Sequence, residues 1–181
     1  MNRRRFKNRF PVRSVFLILL TAAFAPSVPG SAAKVTLVPA PGSPLPIPAT
    51  CVAIADFNRD GHKDLVLTVG TRLQTSFGDG SGKFRTTPDR DLDMSERASE
   101  IAIGDVNGDG YPDVVTADHD RYSVSVFLGD GRGCFAPAPG SPFWPKHGQH
   151  PHTHGLLLAD LNNDGKLDLV HRFIKSFTEC L

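Results

Sequence analysis

Three nine-residue stretches of the chain share one pattern: DFNRDGHKD at 56–64, DVNGDGYPD at 105–113 and DLNNDGKLD at 160–168. Oxygen-bearing side chains stand at positions 1, 3, 5 and 9, and glycine at position 6. One such stretch is ordinary turn chemistry, because Asp, Asn and Gly favour turns. Three copies, beginning at residues 56, 105 and 160, form a repeat. A repeat of this period restricts the fold to modules that bury their apolar faces against one another.

The spacing suits a hard cation. Ca²⁺ takes about six to eight oxygens, and a tight loop aims alternate side chains and one carbonyl at a single point. The expected side-chain ligands are Asp56, Asn58, Asp60 and Asp64 in the first loop. In the second they are Asp105, Asn107, Asp109 and Asp113, and in the third Asp160, Asn162, Asp164 and Asp168. The carbonyls of His62, Tyr111 and Lys166 complete the sets. Position 7 is His, Tyr and Lys in turn, the variation expected if only its backbone takes part. Three carboxylates brought to about 5 Å repel by roughly 1–3 kcal/mol per pair, so an empty loop either splays or takes up a cation.

An EF-hand is excluded on two grounds. It needs a Glu at position 12 and flanking helices. Position 12 is Leu67, Thr116 and His171, and the flanks are short, β-branched and partly alternating, as in SEIAIG and YSVSVFLG. Those are strand signatures, so the loops join antiparallel strands. A dockerin-like helical pair fails for the same reason.

The repeat extends beyond the loop. FGDGSGKF at 77–84 and LGDGRGCF at 128–135 are hairpin turns between apolar runs. LVPAPGSPL at 37–45 returns as FAPAPGSPF at 135–143. The pattern predicts strands at 51–55, 65–69, 72–77 and 83–86 in a first unit. A second unit has them at 100–104, 114–117, 123–128 and 134–136, and a third only at 156–159 and 169–172. Stretches 87–98 and 137–154 are expected to be loops between units.

D-x-N-x-D-G-x-x-D followed by an aliphatic run, together with LGDGRGCF-type turns, resembles the FG-GAP/VCBS repeat. That repeat builds the calcium-binding β-propeller of integrin α-subunit heads and of many secreted bacterial proteins. The resemblance covers residues 35–172 and implies an all-β fold, a partial β-propeller of four-stranded antiparallel blades with Ca²⁺-binding hairpin loops. It also implies that the metal is structural and that partners bind elsewhere. The chain departs from the pattern in its third unit, where HRFIKSFTECL holds no Gly-Asp-Gly turn. Two complete blades and a truncated third are expected, as in a fragment of a longer protein.

Residues 1–33 read as a secretion signal, with the repeat region at 34–181. Arg3, Arg4, Arg5, Lys7, Arg9 and Arg13 form a basic start, 15–25 an apolar run, and GSAA at 30–33 a cleavage site. Eleven apolar residues are too few to span a bilayer comfortably, so no membrane span is expected after cleavage. Removing the signal leaves 14 of the 20 Lys+Arg against all 19 acids, a formal charge of −5. That balance favours cations and gives no support to nucleic-acid binding.

Cys51, Cys134 and Cys180 have no metal spacing; the first two are expected as small residues in strands. His147, His150, His152 and His154 crowd one stretch that reads as a polar connection. No catalytic constellation is present in the sequence. The expected function is a secreted, non-catalytic adhesion or recognition module for an extracellular protein or glycan, with self-association through unfinished blade edges. A propeller fragment accessory to a secreted hydrolase or lyase, and a carbohydrate-binding lectin, are the alternatives.

Overall fold

The computed structural model describes residues 38–39, 45–94, 96–118, 121, 123–144 and 152–174, the last stretch with backbone only at 152–154 and 172–174. The signal region, Cys180, His147 and His150 lie outside the described residues, as do the side chains of His152 and His154. Among the described residues no helix is long and apolar enough to cross a membrane.

The architecture is all-β, a partial propeller of separate antiparallel sheets. The first unit contains β1 (Cys51–Ala55), β2 (Asp64–Val69), β3 (Arg72–Gly78) and β4 (Phe84–Thr86), hydrogen-bonded in that order. A short 3₁₀ turn (Pro88–Arg90) leads to β5 (Leu92–Asp93), which pairs with β3. The second unit repeats the order with β6 (Ala98–Gly104), β7 (Asp113–Asp118), β8 (Ser123–Gly129) and β9 (Phe135–Pro137). Phe143 then bridges Val124 of β8. The third unit is a two-stranded sheet of β10 (His152–Ala159) and β11 (Asp168–Ile174).

Two expectations about loops are corrected. The first connection, 87–98, is not plain loop, because Leu92 and Asp93 find backbone partners at Leu73 and Arg72. The second, 137–154, begins with the last residue of β9 and ends inside β10. Strand β10 starts early because its backbone is gripped from β6. Glu100 accepts the amides of Gly155 (2.6 Å) and Leu156 (2.7 Å), at the point where the β10–β11 register shifts. Of the cysteines, Cys51 lies in β1 and Cys134 just before β9, both free and half-buried.

Strand alternation sends successive side chains to opposite faces, so a fully covered sheet needs apolar residues at every position. In β2, Leu65 and Leu67 pack with Ala49, Leu45, Ile47, Val52, Val69 and Phe84 on one face. Val66 faces the other way, joining Leu73, Phe57, Met94 and Ala98 against Val114 and Phe127 of the second unit. That second cluster is the seam between units. Each fully buried Val, Leu or Phe contributes about 1.5–3 kcal/mol. Strand β6 packs against β1 on one side and β10 on the other. The first strand of every unit is thus the inner one, and the outer strands are β4 and β9.

Candidate metal-binding loops

In an antiparallel order 1-2-3-4, the turn between strands 1 and 2 and the turn between strands 3 and 4 lie at the same end. The three acidic loops and the two Gly-Asp-Gly turns therefore share one rim. Arg59 of the first loop lies over the Tyr111 ring of the second, 5.3 Å from its centroid.

The loops carry the same internal bonding. In the first, Asp56 Oδ1 accepts the Asp60 amide (3.2 Å) and Oδ2 the Gly61 amide (3.0 Å). Asn58 Oδ1 accepts the Asp60 amide, and its Nδ2 donates to Asp60 Oδ2. Asp60 Oδ1 accepts the His62 amide at 2.8 Å. Asp105, Asn107 and Asp109 bind the amides of Gly108, Asp109, Gly110 and Tyr111 in the same way. Asp160, Asn162 and Asp164 do so for Asp164, Gly165 and Lys166. The His62 amide and the Asn58 side chain hold the Asp60 carboxyl below the usual carboxylate range.

Wrapping the chain this tightly requires left-handed backbone at two positions. Position 6 is always glycine, with φ between 83° and 87° in Gly61, Gly110 and Gly165. Position 4 is left-handed too, in Arg59 (62°), Gly108 (77°) and Asn163 (60°). Arg59 gave no hint of this in the sequence, because a long cationic side chain is not a turn signal.

Position 9 proves to have a structural partner. Asp64 and Asp113 are fully buried. Asp64 Oδ2 accepts the Phe57 amide at the start of its loop, and Oδ1 the Gly78 amide at the end of β3, both at 2.9 Å. Asp113 does the same with Val106 (2.9 Å) and Gly129 (2.8 Å). Asp168 accepts only Leu161, at 3.0 Å, among the described residues. Burial pushes the Asp64 carboxyl up, the two amides oppose that, and the nearby Asp60 and Asp56 charges add to it. Asp113 is raised by the same causes. The recurrence of Asp here thus has a reason independent of any ion.

The side chains at position 7 pack on a neighbouring turn: a Cβ on Gly80 would lie 2.6 Å from His62 Nδ1, and one on Gly131 would collide with the Tyr111 ring. His62 and Tyr111 each lie against the Gly-Asp-Gly turn of their own unit. Lys166, at the same position of the third loop, is exposed.

Position 2 points away from the loop into the seam. Phe57 is 2% exposed and meets Phe135 of the second unit edge-on, with centroids 5.6 Å apart. Leu161, at the same position of the third loop, is 64% exposed. Phe77 packs on Gly133 of the second unit's turn and is covered by Arg90, whose guanidinium also reaches the Arg132 carbonyl. Thr75 donates to the Gly133 carbonyl at 3.1 Å. The loops and turns are therefore built into the contacts between units.

The repeated loop, the buried Asp that joins it to a Gly-Asp-Gly turn and the four-stranded sheet together define the unit. The pattern of the FG-GAP-like repeat family matches residues 56–116 and again 105–171. The chain belongs to this FG-GAP-like repeat family. No curated protein matches it.

Each FG-GAP repeat offers an all-oxygen donor set of the kind Ca²⁺ takes. Asp56 and Asp60 are close enough to Asp64 to raise it, as Asp105 and Asp109 raise Asp113. The donor chemistry fits a hard cation. Among the described residues, no three His, Cys, Asp or Glu side chains gather closely enough to hold an ion alone, and the carboxylates are turned onto backbone amides. Any ion would rely on Asn58, Asn107 and Asn162 and on backbone oxygen as well.

Proposed function

We propose that the chain is a secreted, calcium-stabilised recognition module without catalytic activity. The observation carrying this reading is the recurrence, in all three loops, of one bonding pattern around an all-oxygen donor set. Asp56, Asn58, Asp60, Asp64 and the His62 carbonyl would hold one ion. The corresponding residues of the loops at 105–113 and 160–168 would hold two more. Such an ion screens carboxylates that otherwise repel one another. Its role is to stiffen the rim that joins the repeats, leaving other surfaces to an extracellular protein or glycan. Exposed Ile54, Leu157 and Val170 support self-association as well.

Secretion rests on the basic start, the apolar run and GSAA, which direct cleavage after Ala33. Membership of the FG-GAP-like repeat family supports a non-catalytic role, since such repeats are in general recognition modules.

Isothermal calorimetry of the chain from residue 34 onward tests the metal. Three Ca²⁺ per chain are expected, with dissociation constants in the roughly micromolar-to-millimolar range. Asp109→Ala should reduce the number to two, and Tyr111→Ala should leave it at three. Heat-free titration to millimolar Ca²⁺, with no rise in melting temperature, overturns the assignment.

A further inference from the structure

Arg59 and Tyr111 connect two acidic loops directly. Arg59 stands at position 4 of the first loop, between Asn58 and Asp60, with its backbone left-handed (φ 62°). Its guanidinium lies 5.3 Å from the Tyr111 ring centroid. Tyr111 stands at position 7 of the second loop. Its amide donates to Asp109 Oδ1 at 2.8 Å, and its carbonyl is the expected backbone ligand. The same ring lies against Gly131 of the second repeat's turn.

That turn is held from both repeats. From the second, Asp113 accepts the Gly129 amide at 2.8 Å. From the first, Thr75 donates to the Gly133 carbonyl at 3.1 Å and Phe77 packs on Gly133. Phe57, at position 2 of the first loop, meets Phe135 just beyond the turn. The first two loops thus touch through Arg59 and Tyr111 and share a support at 129–135.

The step from the second loop to the third lacks the direct contact. Position 4 of the second loop is Gly108, which has no side chain to extend, and position 7 of the third is Lys166, which has no ring.

We propose that the first two loops take up Ca²⁺ as a positively coupled pair while the third binds on its own, an inference that rests on the calcium-binding reading of the loops. Each loop has an open state, relieving the repulsion among its carboxylates, and a closed one. Closing the second loop fixes Tyr111 through its amide and carbonyl, and so presents a held ring to Arg59. Arg59 meets that ring with position 4 already in the left-handed conformation of the closed first loop. The first loop then closes with less ordering left to do, which is positive coupling without a change of overall shape. By linkage, the first loop favours the second to the same degree. Repulsion between two bound cations acts in the opposite sense and is screened beyond about 8 Å at physiological salt. An exposed cation–π contact supports a coupling factor of about two to five.

Calorimetric titration of Ca²⁺ into variants of the 181-residue chain tests this. Asp164→Ala silences the third loop, so that the first two are read alone. In that background Asp109→Ala leaves the first loop and Asp60→Ala leaves the second. The product of the two association constants in the paired chain should exceed the product of the single-loop constants about two- to fivefold. Adding Arg59→Asn throughout should bring that ratio to about one. Asn163 holds position 4 of the third loop at φ 60°, so Arg59→Asn keeps the backbone and removes the cation. Arg59 is exposed, which makes the substitution safe for folding. Should a single-loop variant fail to fold, the two-site isotherm of the Asp164→Ala chain still decides, because Arg59→Asn should abolish its cooperativity. Asp164→Ala should itself leave the constants of the first two loops unchanged; a shift in them would overturn the independence of the third. A ratio at or below one, or one that survives Arg59→Asn, overturns the coupling and leaves calcium binding in place. No Ca²⁺ uptake by the unsubstituted chain overturns both.

Discussion

The amide of Gly129 donates to Asp113 Oδ1 at 2.8 Å, so the acidic loop of the second repeat is tied to a turn sixteen residues further on. The other oxygen of the same carboxylate holds the Val106 amide at the start of the loop. One buried side chain thus sets both the loop closure and the end of β8. Asp64 repeats the arrangement, and Asp168 carries half of it.

Asp113→Asn should therefore destabilise the protein in the absence of calcium. An Asn amide sets its own N–H against one of the two backbone donors, and a buried polar group left unpaired costs about 1–3 kcal/mol. Asp64→Asn should cost a similar amount, and Asp168→Asn less, because it has one amide to lose. Urea melts in excess chelator measure this. A loss seen only when Ca²⁺ is present would mean that position 9 acts as a ligand and not as a clamp.

Glycine substitutions separate steric demand from backbone demand. Gly110 has φ +83° and open space around its missing Cβ. Gly110→Ala should cost about 1 kcal/mol, the left-handed penalty alone. Gly129→Ala forces a methyl group into the Pro112 carbonyl and should cost more. Reversing that order in thermal melts would contradict the packing described for β8.

Much of this was legible in the sequence, and the rest was not for identifiable reasons. The strands around each loop were found because their β-branched runs and flanking Asp-Gly turns are local signals. The Asp64–Gly78 pair was missed because it joins a side chain to a backbone amide fourteen residues away, and no local pattern records it. The recurrence of Gly-Asp-Gly after Asp64 and Asp113 was the available clue. Strand β5 was missed because its two residues, Leu92 and Asp93, are strand only through pairing with β3. The early start of β10 was hidden by Gly155, which looks like a loop residue until Glu100 binds its amide. The donor residues of the loops were named from spacing alone, and the structure adds which amides their oxygens hold.

Asp118 supplies a pH dependence. It is 2% exposed, and its carboxylate accepts the hydroxyls of Thr116 (3.2 Å), Ser123 (2.8 Å) and Ser125 (2.6 Å). Burial pushes its carboxyl up, the three hydroxyls oppose that, and Glu96 adds a smaller upward push. A raised acid binds its proton more tightly in the folded state. Its stabilising contribution is full below the unfolded value of about 3.9 and is lost as pH rises through the folded value. Asp118→Asn cannot titrate, and the hydroxyls can turn to donate or accept. The variant should gain stability relative to the parent as pH rises above about 4, as read from paired urea melts. A constant difference across that range would show that Asp118 titrates alike in both states.

Position 2 of the loops gives the sharpest test of how the repeats are joined. Phe57 and Leu161 occupy equivalent places in their repeats, one before the Asn of the loop. Phe57 lies in the seam, edge-on to Phe135 and packed with Val66, Leu73 and Val114. Leu161 is 64% exposed. Removing a buried Phe side chain leaves a cavity and costs about 3–5 kcal/mol. An exposed substitution stays within about 0.5 kcal/mol. Phe57→Ala should thus unfold the first two repeats at markedly lower urea, whereas Leu161→Ala should leave the midpoint in place. Equal destabilisation by the two substitutions would mean that the third repeat buries Leu161 in solution, contrary to the exposure found here.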